Sequence, residues 1–132
     1  MDHSASPIVR VAVIDDDKAL LSVFSAMMRS TGYHTHLFSK PAHALHDIRA
    51  IKGHYHLVIT DLHMPEMDGI AFAKEIRQSE PHLPIILMSG DHLSDQVREE
   101  ADRVGNVTFL EKPFPVQATL RELIPRLLKD GR

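Results

Sequence analysis

Apolar segments alternate with amphipathic ones five times along this chain of 132 residues, and four of the apolar runs stop on a residue of a particular polar kind. Residues 11–14 (VAVI) run into Asp15, Asp16 and Asp17; residues 57–60 (LVIT) run into Asp61. Residues 84–88 (PIILM) run into Ser89, and residues 107–111 (VTFLE) run into Lys112. Alternating strand and helix units specify a parallel sheet with right-handed crossovers. Open sheets of that kind bind ligands outside the carboxyl ends of their strands. One edge of one sheet would therefore gather carboxylates, a hydroxyl and an ammonium.

The individual elements follow from local pattern. The first strand, near residues 8–14, is almost all β-branched or apolar, which suits a strand covered on both faces. Leu20, Leu21, Phe24, Met27 and Met28 then recur at helical spacing, with Gly32 as a C-terminal stop. Residues 33–38 read as the second strand. Ser39 is the expected N-cap of the next helix, with Pro41 in its first turn and Ala42, Leu45, Ile48, Ala50 and Ile51 leading to Gly53. The third strand covers about 56–60, followed by a loop at 63–69 and a helix set by Ile70, Phe72, Ala73, Ile76 and Arg77. Pro81 and Pro84 bracket the turn into the fourth strand. The fourth helix, about 94–104, is the most polar; Asp95, Arg98, Glu99, Glu100, Asp102 and Arg103 leave it few large apolar residues, and a weakly buried helix shifts cheaply. Gly105 ends it. The last helix starts near 116 and carries Leu120, Leu123, Ile124, Leu127 and Leu128 on one stripe; Pro125 is expected to kink it or split off its final turn, at ~3 kcal/mol for an interior proline. Five such units favour an α/β, flavodoxin-like (βα)5 fold with a five-stranded parallel sheet in the order 2-1-3-4-5 and helices on both faces. Strands one and three are then neighbours, and Asp15, Asp16 and Asp61 meet in one crevice.

Composition narrows the function. The length fits one domain at 8–130 behind a polar, flexible tail at 1–7. Hydrophobic residues at 43% and charged residues at 25% make a globular core without disulfide or metal staples, and there is no cysteine. No early apolar stretch has the length of a membrane span, so no membrane contact is expected and the expected location is cytoplasmic. With a net charge of −3 and no basic stripe interleaved with aromatics, direct nucleic-acid binding is not expected.

Carboxylates brought within a few ångströms repel one another unless a cation intervenes. Mg²⁺ suits one or two carboxylates, several waters and phosphate oxygens. Asp16 and Asp61 are the candidate direct ligands, with Asp15 acting through water. Taken alone, Asp15 to Asp17 read better as caps of the first helix; the second acidic strand end, Asp61, tips the reading to the metal. Asp61 is also a candidate nucleophile, since a carboxylate can accept a phosphoryl group as an acyl phosphate. Lys112 would offer a point charge to one phosphoryl oxygen and Ser89 a hydrogen bond to another.

These pieces together resemble the receiver domain of two-component response regulators. The matching segments are VIDDD at 13–17, DLHMPEMDG at 61–69, MSG at 88–90 and FLEKPF at 109–114, and the likeness spans about residues 8–130. It implies phosphoryl transfer to Asp61 from a phosphohistidine on a sensor histidine kinase or a histidine phosphotransfer protein. It implies Mg²⁺ held by Asp16, Asp61 and the backbone carbonyl of His63, with Asp15 in support, and a phosphoryl group gripped by Lys112 and Ser89. It implies a cis Lys112–Pro113 peptide. It also implies a switch in which Ser89 is drawn inward and Phe109, where many relatives carry tyrosine, turns into the space behind it. The face built from the fourth helix, fifth strand and fifth helix would then change for an output domain or effector protein, or for a second copy in a phosphorylation-dependent homodimer. His63 and Asp91 flank the crevice and would tune the lifetime of the phosphate. A domain that consumes its own side chain as acceptor is a signalling switch rather than an enzyme. It is expected either to stand alone or to form part of a longer regulator or hybrid kinase.

Three rival readings are distinguishable. A Mg²⁺-dependent phosphatase with an aspartate nucleophile usually carries a second aspartate two residues on, where this chain has His63. A receiver used only for binding would not need Asp16, Asp61, Ser89 and Lys112 together. Finally, His34 and His36, and His54 and His56, each place two imidazoles on one strand face, but the expected order puts the first strand between the pairs, which disfavours a transition-metal site.

Overall fold

The computed structural model describes residues 8–90 and 92–130. Five parallel strands, β1 (Arg10–Ile14), β2 (His34–Phe38), β3 (Leu57–Asp61), β4 (Ile85–Ser89) and β5 (Val107–Glu111), form one sheet in the order β2-β1-β3-β4-β5. The helices between and after them are α1 (Lys18–Arg29), α2 (Pro41–Ala50), α3 (Gly69–Ser79), α4 (Asp95–Val104) and α5 (Val116–Asp130). The flavodoxin-like order expected from the sequence is the observed one. The tail at 1–7 and Asp91 lie outside the described residues.

Strand parity divides the core in two. Val11, Val13, Leu57, Ile59, Ile86 and Met88 face α1 and α5, where Leu21, Phe24, Met28, Leu120 and Ile124 close over them. Ala12, Ile14, Val58, Ile85 and Leu87 face the other way, against Ala44, Leu45 and Ile48 of α2, Ile70, Phe72, Ala73 and Ile76 of α3, and Ala101 of α4. Every residue of β3 and β4 is buried, which explains their unbroken apolar sequence. The edge strands β2 and β5 are only partly covered and correspondingly more polar.

Local chemistry modifies three expectations. The N-cap of α2 is Lys40, not Ser39, and no side chain caps that end; Pro41 at the first helical position has no N–H to satisfy. Helix α1 ends at Arg29 rather than running to the glycine; Gly32 lies in the following turn at φ +82°. Pro125 does not split α5, which is assigned as helical through Asp130. Packing on both sides of the proline supports the helix across it, with Ile124 fully buried and Leu123, Leu127 and Leu128 against the same cluster.

The histidine pairs come closer than the strand order suggests. His36 pairs with the small Ala12 on β1, and its ring lies 6.2 Å from that of His54. Tyr55 stands edge-on to both, at 5.4 and 5.0 Å, and donates its hydroxyl to Asp47. His56 accepts the Arg10 N–H at 3.0 Å. These are packing and hydrogen-bonding roles; among the described residues, the one group of three or more His, Asp or Glu side chains close enough to share an ion lies at the strands' carboxyl ends.

Helix α4 buries one residue, Ala101. Its carboxyl end is held by Arg77 of α3, whose guanidinium donates to the carbonyls of Val104 (3.3 Å), Gly105 (2.7 Å), Asn106 (3.3 Å) and Glu80 (3.0 Å). Burial pulls the Arg77 pKa down from the ordinary guanidinium value.

Helix α3 starts hard against the end of β3. The Gly69 N–H donates to the Leu62 carbonyl at 2.7 Å, and Asp68 caps the helix by accepting the Ala71 N–H at 2.8 Å. A Cβ on Gly69 would sit 2.7 Å from the Asp61 carbonyl oxygen and 2.9 Å from the Leu62 Cα. Both are backbone atoms and cannot swing away. Gly69→Ala should therefore destabilise the fold by about 1–3 kcal/mol, as overpacking typically does, read as a lower urea midpoint at unchanged slope.

Candidate functional site

Three consecutive aspartates leave β1 and take three different positions. Asp15 is buried, 1% exposed, and accepts the Asp17 N–H at 2.9 Å. Asp16 is exposed. Asp17 is the N-cap of α1, accepting the N–H groups of Ala19 and Leu20 at 3.0 and 3.2 Å. The capping role thus falls to Asp17, leaving Asp15 and Asp16 to face the crevice.

The neighbouring strands complete the edge. Asp61 ends β3 and is 9% exposed. The buried Thr60 hydroxyl beside it bonds the Asp61 carbonyl at 3.1 Å and the Met64 sulfur at 3.7 Å. Carboxylate oxygens of Asp15, Asp16 and Asp61 all lie within 4.8 Å of one another. Lys112 follows β5, its N–H donating to the Ser89 carbonyl at 2.7 Å, and the Lys112–Pro113 peptide is cis. Its ammonium crosses β4 to reach both β1 and β3: Nζ stands 3.3 Å from Asp15 Oδ2 and 3.4 Å from Asp61 Oδ1. Ser89 ends β4, 1% exposed and paired with Glu111. Asp61 pairs with Met88, so Ser89 lies one residue beyond it along the same edge.

This arrangement is electrostatically crowded. At 4.8 Å two carboxylates repel by about 3.5 kcal/mol at an effective dielectric of about 20. One ammonium cannot neutralise three carboxylates. Burial pushes the Asp15 carboxyl above the ordinary carboxylate range, and Asp61 adds to the rise, while the Asp17 N–H and the Lys112 ammonium oppose it. A hard, oxygen-only donor set, part buried and part open to water, fits Mg²⁺ or a similar divalent cation, which retains several waters.

The remaining positions singled out by sequence surround this centre. His63 is exposed, two residues after Asp61. Phe109 is half-buried in the middle of β5, paired with Leu87. A cavity of about 250 Å³ lies between β4, β5 and α4, with Ser89 and Phe109 in its walls and the Arg98 guanidinium 5.9 Å from the Phe109 ring centroid. Asp91 falls outside the described residues. Sequence reasoning did not identify the Thr60 bridge, the close approach at Gly69 or the Arg98–Phe109 contact. Of these only Gly69 carried a local signal, as the glycine immediately after the Asp68 cap.

Asp15 offers a sign-definite check. Its raised pKa means that the folded protein favours the protonated form more than the unfolded chain does, so its contribution to stability falls as pH rises from the ordinary carboxylate range toward the raised value. In metal-free buffer at pH 7, Asp15→Asn should unfold at a higher temperature than the parent protein, and the gap should narrow as pH drops into the carboxylate range. Millimolar Mg²⁺ should stabilise the parent more than the variant; calorimetry across pH, with and without the ion, measures all three.

Residues 11–124 match the family model described as the response regulator receiver domain. A curated relative, the transcriptional regulatory protein ZraR of Escherichia coli, is 33% identical over 119 residues, covering 88% of this chain and 26% of that protein. The chain thus spans about a quarter of that relative's length. Among solved structures, a response regulator receiver protein from Sinorhizobium medicae is 26% identical with a TM-score of 0.81, covering 95% of this chain and 98% of the other. The chemotaxis protein CheY4 of Vibrio cholerae shares the fold at a TM-score of 0.81, with 24% identity over 92% of this chain and 99% of that one. With the acidic cluster and the lysine at the strand ends, these matches establish that the chain belongs to the response regulator receiver domain family.

Proposed function

We propose that this receiver domain is a phosphoacceptor switch, taking a phosphoryl group onto Asp61 from a phosphohistidine of a sensor histidine kinase or phosphotransfer protein. The observation that carries the reading is the Lys112 ammonium, within 3.4 Å of carboxylates from two different strands, beside the three-aspartate cluster. That constellation suits phosphoryl transfer onto a carboxylate better than it suits a static core.

An Asp61 oxygen attacks the phosphorus, the phosphorus–nitrogen bond breaks, and the donor imidazole departs and takes up a proton. Lys112, already beside Asp61, moves to one phosphoryl oxygen, and Ser89 donates its hydroxyl to another. Asp16, Asp61 and the His63 carbonyl, with Asp15 through water, would hold Mg²⁺, which supplies charge neutralisation for the incoming phosphoryl oxygens. Drawing Ser89 inward lets Phe109 turn into the adjoining cavity. An engineered apolar cavity of about 150 Å³ holds benzene, so about 250 Å³ accommodates a phenyl ring. Phe109 has no hydroxyl, and the signal is therefore read by packing on the α4–β5–α5 face. An output domain or effector protein senses that face, in the cytoplasm. The domain catalyses its own labelling and hydrolysis without acting on an outside substrate.

Incubation with acetyl phosphate and Mg²⁺ should label the protein once, as an acyl phosphate detected by intact mass and by borohydride trapping at Asp61. Asp61→Asn should abolish the label. Steady turnover of many phosphate esters without an acyl phosphate would instead indicate a phosphatase. His63→Ala should leave labelling intact and change the half-life of the acyl phosphate several-fold; an unchanged half-life in a radiolabel-decay assay removes that role for His63.

A further inference from the structure

The Arg98–Phe109 contact has no part in the phosphoryl chemistry, yet it joins the weakest element of the fold to the aromatic side chain proposed to move. Helix α4 buries only Ala101. Its carboxyl end is fastened by the carbonyl bonds from Arg77, and its outer face by Lys74 of α3, 2.9 Å from Glu100. Toward the amino end the attachments thin out: Leu93 and Val97 are only partly buried, and Arg98 lays its guanidinium over the Phe109 ring at 5.9 Å. The helix is thus anchored at one end and leashed to β5 near the other. Arg98 and Phe109 are both walls of the cavity that also reaches Ser89. A ring that turns from the guanidinium toward Ser89 loses that contact.

We propose that Arg98 is the positioning residue that holds Phe109 in its resting, outward place, so that the cation–ring contact sets how readily the domain switches. This deepens the proposed function and rests on it. A planar guanidinium stacks on an aromatic face, and the attraction is modest at an exposed site. Arg98 is exposed, so the contact biases the equilibrium without locking it. A contact made only in the resting state lowers the switched fraction, and the apparent affinity for a ligand that selects the switched state falls by the same factor.

The test uses beryllofluoride with Mg²⁺, a mimic of the phosphoryl group, titrated by NMR into the parent protein, Arg98→Gln, Phe109→Leu and the double variant. Arg98→Gln should bind beryllofluoride roughly two- to fivefold more tightly. Removing a positive charge near an anion site would by charge alone weaken binding, so a gain cannot be a charge effect. The gain should disappear in the Phe109→Leu background, where there is no ring to hold. Unchanged or weaker binding by Arg98→Gln overturns the proposal, as does a gain of the same size without the ring. Absence of beryllofluoride binding in the parent protein overturns the phosphoacceptor reading itself, and this inference with it, which separates the two failures.

Discussion

A single ammonium shared between two nearly buried carboxylates organises this molecule. Lys112 reaches Asp15 and Asp61 from the far side of β4. The observed order β2-β1-β3-β4-β5 sets the ends of β1 and β3 side by side, with β4 alone between β3 and β5, so that one long side chain can span them. The sheet therefore does more than supply a core. Its register sets which polar groups emerge at the same height, and the parallel direction of all five strands puts those groups at one edge. The negative charge left over is poorly stabilised where it stands, and a divalent cation at the cluster would relieve it.

Much of this was legible in the chain because it depends on period and punctuation. The fully buried strands β3 and β4 open on apolar runs, and each closes on a buried polar residue at the carboxyl end, Asp61 or Ser89. What was not legible depends on contacts between segments remote in sequence. The N-cap of α2 is Lys40 rather than Ser39, with Pro41 fixing the first helical position and no side chain capping that end. Pro125 left α5 unbroken because the stripe around it docks on the sheet; tertiary packing overrode a local preference. The approach of His36 to His54 across β1 reflects the small size of Ala12, a fact about a third strand that neither histidine pair contains.

The site shows the same division. Asp15, Asp16, Asp61 and Lys112 converge as the strand ends implied, while Asp17 serves α1 as its cap and steadies Asp15 through its N–H. The buried Thr60 hydroxyl links Met64 to β3 beneath the loop after Asp61, while His63 is exposed.

Helix α4 contributes a single alanine to the interior, and its place is kept mainly by bonds to its backbone carbonyls at one end. Carbonyls are indifferent to side-chain identity. That anchor therefore survives substitution of the exposed helix residues, and positions such as Gln96 and Glu99 can be exchanged at little expense to folding.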